Sequence, residues 1–413
     1  MTQKVVITGV GTINPLGHSV EETWKNILNG VSGVGPITRF DTTDYLVKIA
    51  CEIKNYDPEQ FMSARDARRR DRFEQYGIIA AKQALESSGL EITEENASRV
   101  GVMISAAIGG LGTIEEAVNI IAEKGPRRVS PFVIPMLMPN GASGLFGIEI
   151  GATGPSFSVA SACASGQDGI GMAWMMIKSG MIDAAFAGAS EATIFPIGVA
   201  SFDRLGAMSR SNDDYSMTPQ PFDKNRNGLV MGEGAAVLML ESEAHAKARG
   251  AIILAELAGY ASTADAYHVT APHEYGVGGS KAMRMAMDAA GVNPHEVDYI
   301  SAHGTATPLN DAAETRAVKS AFGKLAYDIP LSSTKSMTGH MMGATGALES
   351  IFCALAIRDN VLPPTIHYET PDPDCDLDVI PNQPREKQTH VTLTNAFGFG
   401  GHNAVLVIRR YTG

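Results

Sequence analysis

Strand-like apolar runs alternate with amphipathic helical patterns along the whole sequence, and this alternation restricts the fold more than any other feature. The alternation begins again after about residue 250 with a similar rhythm. No proline-rich or serine-rich linker separates the two stretches, and a chain of 413 residues that is 44% hydrophobic can bury a large core. The sequence therefore predicts one rigid α/β protein made of two similar halves, residues 1–250 and residues 251–413.

The individual elements are placed from apolar periodicity and from glycine. The predicted strands cover residues 5–10, 100–105, 155–161, 184–189, 235–240, 253–261, 297–302, 329–333, 390–396 and 404–410. The predicted helices cover residues 21–29, 66–88, 167–180, 279–290, 309–321 and 343–357. Gly89 is expected to end the second helix, because glycine readily adopts the left-handed conformation of a C-cap.

Charge and cysteine content exclude several classes of protein. A net charge of −12 disfavours general binding to nucleic acids or to anionic membranes. The four cysteines, at positions 51, 163, 353 and 375, have neither metal-ligand spacing nor the density of a disulfide framework. The N-terminus MTQKVVITGVG lacks the apolar core and the cleavage site of a signal peptide. These features predict a cytoplasmic protein.

Residues 129–148 are uncharged and long enough to suggest a membrane-spanning helix. The segment contains Pro131, Pro135 and Pro139, which would leave backbone groups of a lipid-exposed helix without hydrogen bonds. We therefore predict a buried segment or an interface between protein chains, and no membrane association.

Cys163 stands among very small residues in SVASACASGQDG, residues 158–169. It follows the predicted strand 155–161 and precedes the predicted helix 167–180, so backbone N–H groups and the helix dipole are expected to stabilise a thiolate. Small neighbours also permit the sharp turn that exposes a nucleophile. The alternative is a small buried thiol with a structural role, and this stretch alone does not decide between the two.

Two histidines follow predicted strands in the same way. His303 comes directly after 297–302, and His340 lies shortly after 329–333. The carboxyl ends of the strands in an α/β sheet face the ligand site. Cys163 and the two histidines are therefore expected to converge there.

A thiol beside two histidines suits carbon–carbon bond formation. The thiolate can carry an acyl group as a thioester, and two neutral imidazoles can donate hydrogen bonds to an enolate formed by loss of CO2. A hydrolase of the Cys–His kind needs only one histidine. Neither step needs a metal or a cofactor, and the glycine loops match no dinucleotide or P-loop fingerprint. Lys335 and Glu349 are either surface residues or, if buried together, an ion pair that fixes the loop of His340.

Two further stretches contain candidate functional residues. The glycine run NAFGFGGHN, residues 395–403, is either a tight turn or a flexible segment beside a substrate. A cluster of arginines is either a solvated, salt-bridged surface or a docking site for an acidic protein. Arg65, Arg68, Arg69 and Arg72 are predicted to share one helical face. The cluster comprises Arg65, Arg68, Arg69 and Arg72, extended by Arg127 and Arg128.

Four motifs together show a family resemblance. They are SACASG around Cys163, AHGTATPLND around His303, STKSMTGH around Lys335 and His340, and NAFGFGGHN. They are similar to the signature motifs of the β-ketoacyl-acyl carrier protein synthases, and the match runs from VVITGVGTINPLG to the C-terminus in the same order. AIGGL at residues 107–111 and the overall length are most similar to the type II synthase of bacterial fatty-acid elongation.

The resemblance implies a thiolase fold, in which two similar halves form a five-layered αβαβα body, and a homodimer. It also implies a condensation that yields 3-oxoacyl-acyl carrier protein. Cys163 would take an acyl chain from acyl carrier protein, His303 and His340 would promote loss of CO2 from malonyl carrier protein, and the carbanion would attack the thioester. Backbone N–H groups of Cys163 and Phe399 would form an oxyanion hole, and Phe399 would also gate the acyl pocket.

The resemblance also implies roles for the surrounding residues. Lys335 is placed with the catalytic residues and, together with Glu349, would order the histidine loop. Ile108 would line the acyl pocket near a dimer interface, and Thr305 and Thr307 would bind the phosphopantetheine arm. The implied substrate-binding residues are Ile108, Phe202, Thr305, Thr307, Glu349, Gly398 and Gly400. The implied docking residues for the acidic carrier protein are Arg65, Arg68, Arg69, Arg127 and Arg128.

The sequence departs from the family pattern at three positions. Gly206 replaces a common basic residue of the docking surface, and His402 replaces a common threonine beside the gating loop. Ser301 replaces an asparagine through which some relatives bind a monovalent cation.

Three other functions share part of this sequence pattern. A thiolase needs a second cysteine in the C-terminal glycine motif, and NAFGFGGHN has none. A non-catalytic chain-length factor lacks the nucleophilic cysteine that this chain retains. A ketosynthase of a polyketide or other specialised acyl pathway uses the same motifs, so the sequence leaves that alternative open.

Overall fold

A computed structural model describes residues 3–413, in which helices and strands alternate along the chain. The helices are α1 (Val20–Leu28), α2 (Ala64–Ala67), α3 (Arg72–Ser88), α4 (Leu111–Lys124), α5 (Val133–Leu137), α6 (Gly141–Ile150), α7 (Ser165–Lys178), α8 (Pro196–Arg204), α9 (Glu243–Ala248), α10 (Val277–Ala290), α11 (Pro308–Phe322), α12 (Lys335–Thr338) and α13 (Thr345–Asp359). The strands are β1 (Val5–Ile13), β2 (Gly35–Pro36), β3 (Ile49–Ala50), β4 (Val100–Ser105), β5 (Ala184–Glu191), β6 (Gly234–Ser242), β7 (Ala255–Ala264), β8 (Tyr299–Ser301), β9 (Leu331–Ser332), β10 (Val361–Leu362), β11 (Arg385–Glu386), β12 (Val391–Gly398) and β13 (His402–Arg409).

The main sheet has the same pattern of strand pairing on both sides of the contact between β1 and β7, except for one additional strand at one edge. Its strand order is β4-β5-β6-β1-β7-β13-β12-β8-β9. Moving outward from that contact, each side has two antiparallel pairs followed by a parallel pair, β5 with β4 on one side and β12 with β8 on the other, and β9 then pairs in parallel with β8. β1 and β7 share only two residue pairs, Val6 with Glu256 and Ile7 with Ala255. Each half of the chain therefore contributes its own set of strands, and the two sets touch at a short seam.

Helices form three layers around these strands. α7 and α13 pack against each other, α7 also contacts β4 and β5, and α13 also contacts β6 and β12. α3 and α6 cover the other face of the N-terminal strands, and α10 and α11 cover the other face of the C-terminal strands. The order of layers is the αβαβα arrangement that the resemblance implies.

The sequences of the central elements explain their position. Every residue of β1, β4, β5 and β6 is buried, as expected for strands covered by helices on both faces. α13 is buried from Thr345 to Ile357 and has no polar stripe, so it can occupy only an interior layer.

The helix predicted over residues 66–88 is divided into α2 and α3. Asp71 caps α3 by accepting from the N–H of Phe73, while Glu74 accepts from the N–H of Asp71, and this capping box starts a new helix. The prediction of one continuous helix is therefore wrong. Gly89 ends α3 in the left-handed conformation, with φ of 63°, as predicted.

Two further predicted segments differ in detail. The predicted strand 155–161 forms a single bridge to β4, between Ser156 and Val102, and otherwise runs as an extended edge segment. The uncharged segment 129–148 contains α5 and most of α6 and leaves several apolar side chains exposed. None of the helices within residues 3–413 combines the length and the hydrophobicity that a bilayer crossing requires. The boundary after residue 250 stays a prediction.

Candidate active site

A cavity of about 300 Å³ lies where loops from both halves of the chain meet. It is lined by eight of the predicted site residues, namely Cys163, Phe202, His303, Thr305, Thr307, His340, Gly398 and Phe399. Four further predicted residues, Ile108, Lys335, Glu349 and Gly400, do not line it.

The turn that carries Cys163 is strained and tightly packed. Ala162 has φ of 50°, a conformation that non-glycine residues rarely adopt, and α7 begins two residues after Cys163. A Cβ at Gly398 would lie only 2.9 Å from the backbone nitrogen of Cys163, so only glycine fits there. The turn holds the thiol at the wall of the cavity with 9% of the residue exposed.

Both histidine side chains lie close to the Cys163 thiol, as expected. Nε2 of His340 lies 3.2 Å from the Cys163 Sγ, and the rings of His303 and His340 are 5.4 Å apart at an angle of 84°. Nδ1 of His340 lies 3.2 Å from the Thr345 hydroxyl, which can donate or accept. Either tautomer of His340 therefore has a partner. Glu314 holds the other loop, since its Oε1 accepts from the backbone N–H of His303 at 2.8 Å.

Burial controls the charges in the cavity. It lowers the pKa of His340 to about 3 and that of His303 well below its usual value, and the positive charge of Lys335 lowers both further. Burial also raises the pKa of Cys163 to about 11, although the N–H groups of Phe399 and Cys163 oppose this. The N–H groups therefore favour the thiolate as expected, but burial outweighs them, so the net pKa of the thiol in the free protein is raised.

Lys335 and Glu349 form a buried ion pair behind the His340 loop. The Lys335 Nζ lies 2.7 Å from the Glu349 Oε1, and the two side chains are 2% and 1% exposed. The contact joins α12, which precedes His340, to α13, which follows it. Glu349 does not line the cavity and one of its carboxylate oxygens is bound to Lys335, so its implied role in binding substrate stays a prediction.

One group of side-chain atoms has the spacing of metal ligands. The Cys163 Sγ and the ring nitrogens of His303 and His340 lie within 4.8 Å of one another, the only such group within residues 3–413. At the position where some relatives bind a monovalent cation, the Ser301 Oγ is buried without a hydrogen-bond partner in the same range. The prediction that the protein needs no metal or cofactor stays a prediction.

The glycine run forms the turn between β12 and β13. Phe399 stacks on Phe202 with ring centroids 6.3 Å apart, and its backbone N–H points to the Cys163 sulfur. Gly400 has φ of 83°, which favours glycine, and a Cβ there would lie 3.0 Å from the His402 ring. The turn therefore places one aromatic side chain and one N–H group over the thiol.

Comparison with known proteins agrees with this geometry. Residues 2–246 match the family described as Beta-ketoacyl synthase, N-terminal domain, and residues 254–369 match Beta-ketoacyl synthase, C-terminal domain. The chain belongs to the β-ketoacyl synthase family.

Relatives and solved structures of this β-ketoacyl synthase cover its whole length. It is 48% identical over 99% of both chains to 3-oxoacyl-[acyl-carrier-protein] synthase 2 of Staphylococcus aureus (strain COL). It is 46% identical, over 99% of this chain and 98% of the other, to the protein of that name from Synechocystis sp.. A type II PKS ketosynthase, solved in complex with its acyl-carrier protein, superimposes with a TM-score of 0.92 at 35% identity over 100% of both chains.

The other implied substrate-binding residues differ in their position relative to the cavity. Oγ1 of Thr305 lies 2.9 Å from Oγ1 of Thr307, and both threonines line the cavity of the synthase. Ile108 lies outside this cavity and is 36% exposed in the single chain, so its role in the acyl pocket stays a prediction.

The arginines of the synthase form an exposed, unpaired surface. The guanidinium group of Arg69 lies 4.5 Å from the ring centre of Phe132, so the two parts of the cluster are close together. The predicted shared helical face is wrong, because α2 ends before Arg68 and Arg72 instead donates to the Tyr76 hydroxyl. Arg65, Arg68, Arg69, Arg127 and Arg128 are all exposed and make no ion pair with the described residues. Within residues 3–413, Arg204 and Arg284 are likewise exposed without an ion pair.

Two buried acids next to the site of the synthase, Glu191 and Glu314, are not among the residues predicted from the sequence. Glu191 is fully buried at the end of β5, and Glu314 is 2% exposed on α11. Glu191 follows the apolar run 184–189 after a single serine. A charged residue at the end of a buried strand is the signal that could have identified it.

Proposed function

We propose that this β-ketoacyl synthase condenses malonyl-acyl carrier protein with an acyl chain held on Cys163, giving 3-oxoacyl-acyl carrier protein in fatty-acid elongation. The convergence of one thiol and two neutral imidazoles at a single cavity carries the proposal. The relatives named 3-oxoacyl-[acyl-carrier-protein] synthase 2 support the assignment to elongation.

In the first step the Cys163 sulfur attacks the thioester carbonyl of the acyl carrier protein. His340 takes the thiol proton through Nε2, since the imidazole is neutral and 3.2 Å away. The N–H groups of Cys163 and Phe399 stabilise the oxyanion. The bond to the phosphopantetheine sulfur breaks, and that sulfur takes the proton back from His340 as it leaves.

In the second step malonyl carrier protein binds in the same cavity. In this step His340 is in the tautomer whose Nε2 carries the proton, with Nδ1 accepting from the Thr345 hydroxyl. Hydrogen bonds from His303 and His340 stabilise the enolate oxygen as the bond to the carboxyl carbon breaks and CO2 leaves. The carbanion attacks the Cys163 thioester, a carbon–carbon bond forms, and the thiolate leaves and takes a proton from solvent. Lys335 acts through its ion pair by holding the His340 loop.

The proposal includes two partners. The exposed arginines supply positive charge in a chain of net charge −12, which suits docking of an acidic carrier protein. A second copy of the chain would cover the edge segment 155–161 and the exposed apolar side chains of α4, α5 and α6. We propose a cytoplasmic homodimer on these grounds.

A second candidate is the same reaction in a polyketide or other specialised pathway. It is favoured by the close superposition on a type II PKS ketosynthase. The chemistry is the same in both candidates, and only the acyl chain and the carrier protein differ.

The mass of the intact protein after mixing with acyl carrier proteins of several chain lengths tests the proposal. An adduct on Cys163 is expected, and malonyl carrier protein should then release a 3-oxoacyl product two carbons longer. Cys163→Ala should give no adduct and lose condensation by ~10³-fold or more. Full condensation by that variant would exclude the mechanism. An adduct from unusual acyl chains alone would favour the specialised pathway.

A further inference from the structure

Glu191 is a buried carboxylate that has no cationic partner among residues 3–413. Burial raises its pKa to about 7, and its negative charge contributes to the raised pKa of Cys163. A lone buried charge of this kind costs free energy and works against thiolate formation. The reaction proposed above assigns it no part.

The Glu191 carboxylate is held only by backbone N–H groups from two different loops. Its Oε1 accepts from the N–H of Ile108 at 3.2 Å, and its Oε2 accepts from the N–H of Gly343 at 3.2 Å. The N–H groups of Ala107 and Gly109 also point to it. One side chain therefore bridges the segment 107–109 to a residue three positions after His340.

The two loops and the start of α7 pack without free space. A Cβ on Gly343 would lie 3.1 Å from the backbone nitrogen of Ala107 and 3.1 Å from the Cβ of Ser165. A Cβ on Gly166 would lie 2.5 Å from the carbonyl oxygen of Gly343. A displacement of 107–109 therefore cannot be absorbed locally.

The loop of His340 is also strained between the histidine and Gly343. Met342 has φ of 47°, a conformation that is costly for a long side chain and persists only where the surroundings enforce it. Met342 lines the cavity beside His340. The bond from Gly343 to Glu191 is directly next to this residue and helps to enforce its conformation.

We propose that Glu191 is a positioning residue that couples the arrival of an acyl chain beside Ile108 to the placement of His340. The inference rests on the proposed function and on the acyl-pocket role of Ile108 that the family resemblance implies. A bound acyl chain displaces residues 107–109 and, through their hydrogen bonds, the Glu191 carboxylate. The hydrogen bond from the N–H of Gly343 to this carboxylate transmits the movement to the His340 loop and places the His340 imidazole for decarboxylation. An acylated enzyme therefore releases CO2 from malonyl carrier protein faster than a free one.

The test compares CO2 release from malonyl carrier protein with and without a long-chain acyl carrier protein. Wild type should show clear stimulation by the acyl donor. Glu191→Gln keeps the size of the side chain but turns a donor NH2 towards the backbone N–H groups, and it should lower the stimulation by ~10-fold. Cys163 acylation, followed by intact mass, should change less than threefold. Glu191→Asp keeps the charge and should recover part of the stimulation.

Glu241→Gln is the matched control, because Glu241 is also fully buried but pairs with Arg249 far along β6. It should leave the stimulation intact even if the protein is less stable. Equal loss of acylation and CO2 release in Glu191→Gln would show a merely structural role, and unchanged stimulation would also overturn the inference. If wild type condenses but its CO2 release is not stimulated by the acyl donor, only the coupling is refuted. If wild type forms no Cys163 adduct and does not condense, the proposed function is refuted.

Discussion

At the scale of single residues, the site combines a thiol that is hard to ionise with imidazoles that are hard to protonate. Both effects have the same cause, because the cavity is buried and disfavours any charged form. The free protein therefore holds a protonated Cys163 and a neutral His340 in contact. In the reaction proposed above, the thiol proton therefore has to move to the imidazole as the sulfur attacks the carbonyl carbon, because burial disfavours both charged groups beforehand.

The two histidines should be separable from the cysteine by experiment. His303→Ala and His340→Ala should each lower CO2 release from malonyl carrier protein by ~10²-fold, because each removes one hydrogen-bond donor to the enolate. Acylation of Cys163 should fall less. The comparison is made by measuring acylation from the intact mass of the protein and CO2 release in a separate assay. CO2 release at the wild-type rate in either variant would reject the proposed role of that histidine.

At the scale of elements, the His340 loop is fixed at both ends. The ion pair of Lys335 with Glu349 joins α12 to α13, and the carboxylate at the end of β5 holds the residue that follows Met342. The loop is therefore anchored by two buried charges, one paired with a cation and the other held by N–H groups only. Loss of either anchor should affect the histidine without touching the substrate.

The buried ion pair gives a stability prediction. Lys335→Met leaves the Glu349 charge buried without its partner and should lower the free energy of unfolding by ~3–5 kcal/mol in denaturant titrations. The double variant Lys335→Met with Glu349→Leu should recover a large part of that loss. Lys319→Met is the control, since its pair with Asp376 is partly exposed and should contribute less than ~1 kcal/mol. Equal effects at the two sites would contradict the prediction.

The exposed arginines give a prediction about carrier-protein docking. Reversing Arg127 and Arg128 to glutamate should raise KM for acyl carrier protein by ~10-fold and should weaken the dependence of the rate on ionic strength. A small acyl thioester without carrier protein serves as the control, and its kinetics should not change. An equal effect on both substrates would show damage to the site rather than to docking.

Several elements could be predicted from the sequence and others could not. β5 and β6 were recognisable as continuous apolar runs, and Cys163 and both histidines were placed because each lies just after a predicted strand. The break before α3 depends on a capping box whose Asp71 and Glu74 also look like ordinary surface charges. The pKa of Cys163 depends on burial by distant segments, which a local motif does not reveal.

At the scale of the whole molecule, one group of exposed apolar side chains belongs to the neighbouring helices α4, α5 and α6 and the residue after α5. Ile134 on α5 and Ile148 on α6 are 62% and 80% exposed. Neighbouring exposed residues in the same region are Ile114, Val118, Ile121 and Met138. An apolar surface beside an open sheet edge fits contact with another chain. The acyl pocket implied for Ile108 would then be completed only in the assembly.

The association of two chains can be tested directly. Ile134→Asp with Ile148→Asp should shift the molar mass in light scattering from that of a dimer towards 43.7 kDa, the mass of one chain. Ile252→Asp is the matched control, because Ile252 is 81% exposed outside this region. A wild-type chain of 43.7 kDa at micromolar concentration would exclude the homodimer.

The seam between β1 and β7 has a consequence for how the activity is distributed along the chain. Cys163 lies in the part of the chain that contains β1, before β7, and both histidines lie after β7. Each half alone would hold an incomplete set of reactive groups and would expose one helix of the middle layer. The proposed active site is therefore complete only when the two parts of the chain pack together. Enzymes that share an active site between subunits have the same requirement, although here one polypeptide supplies both parts.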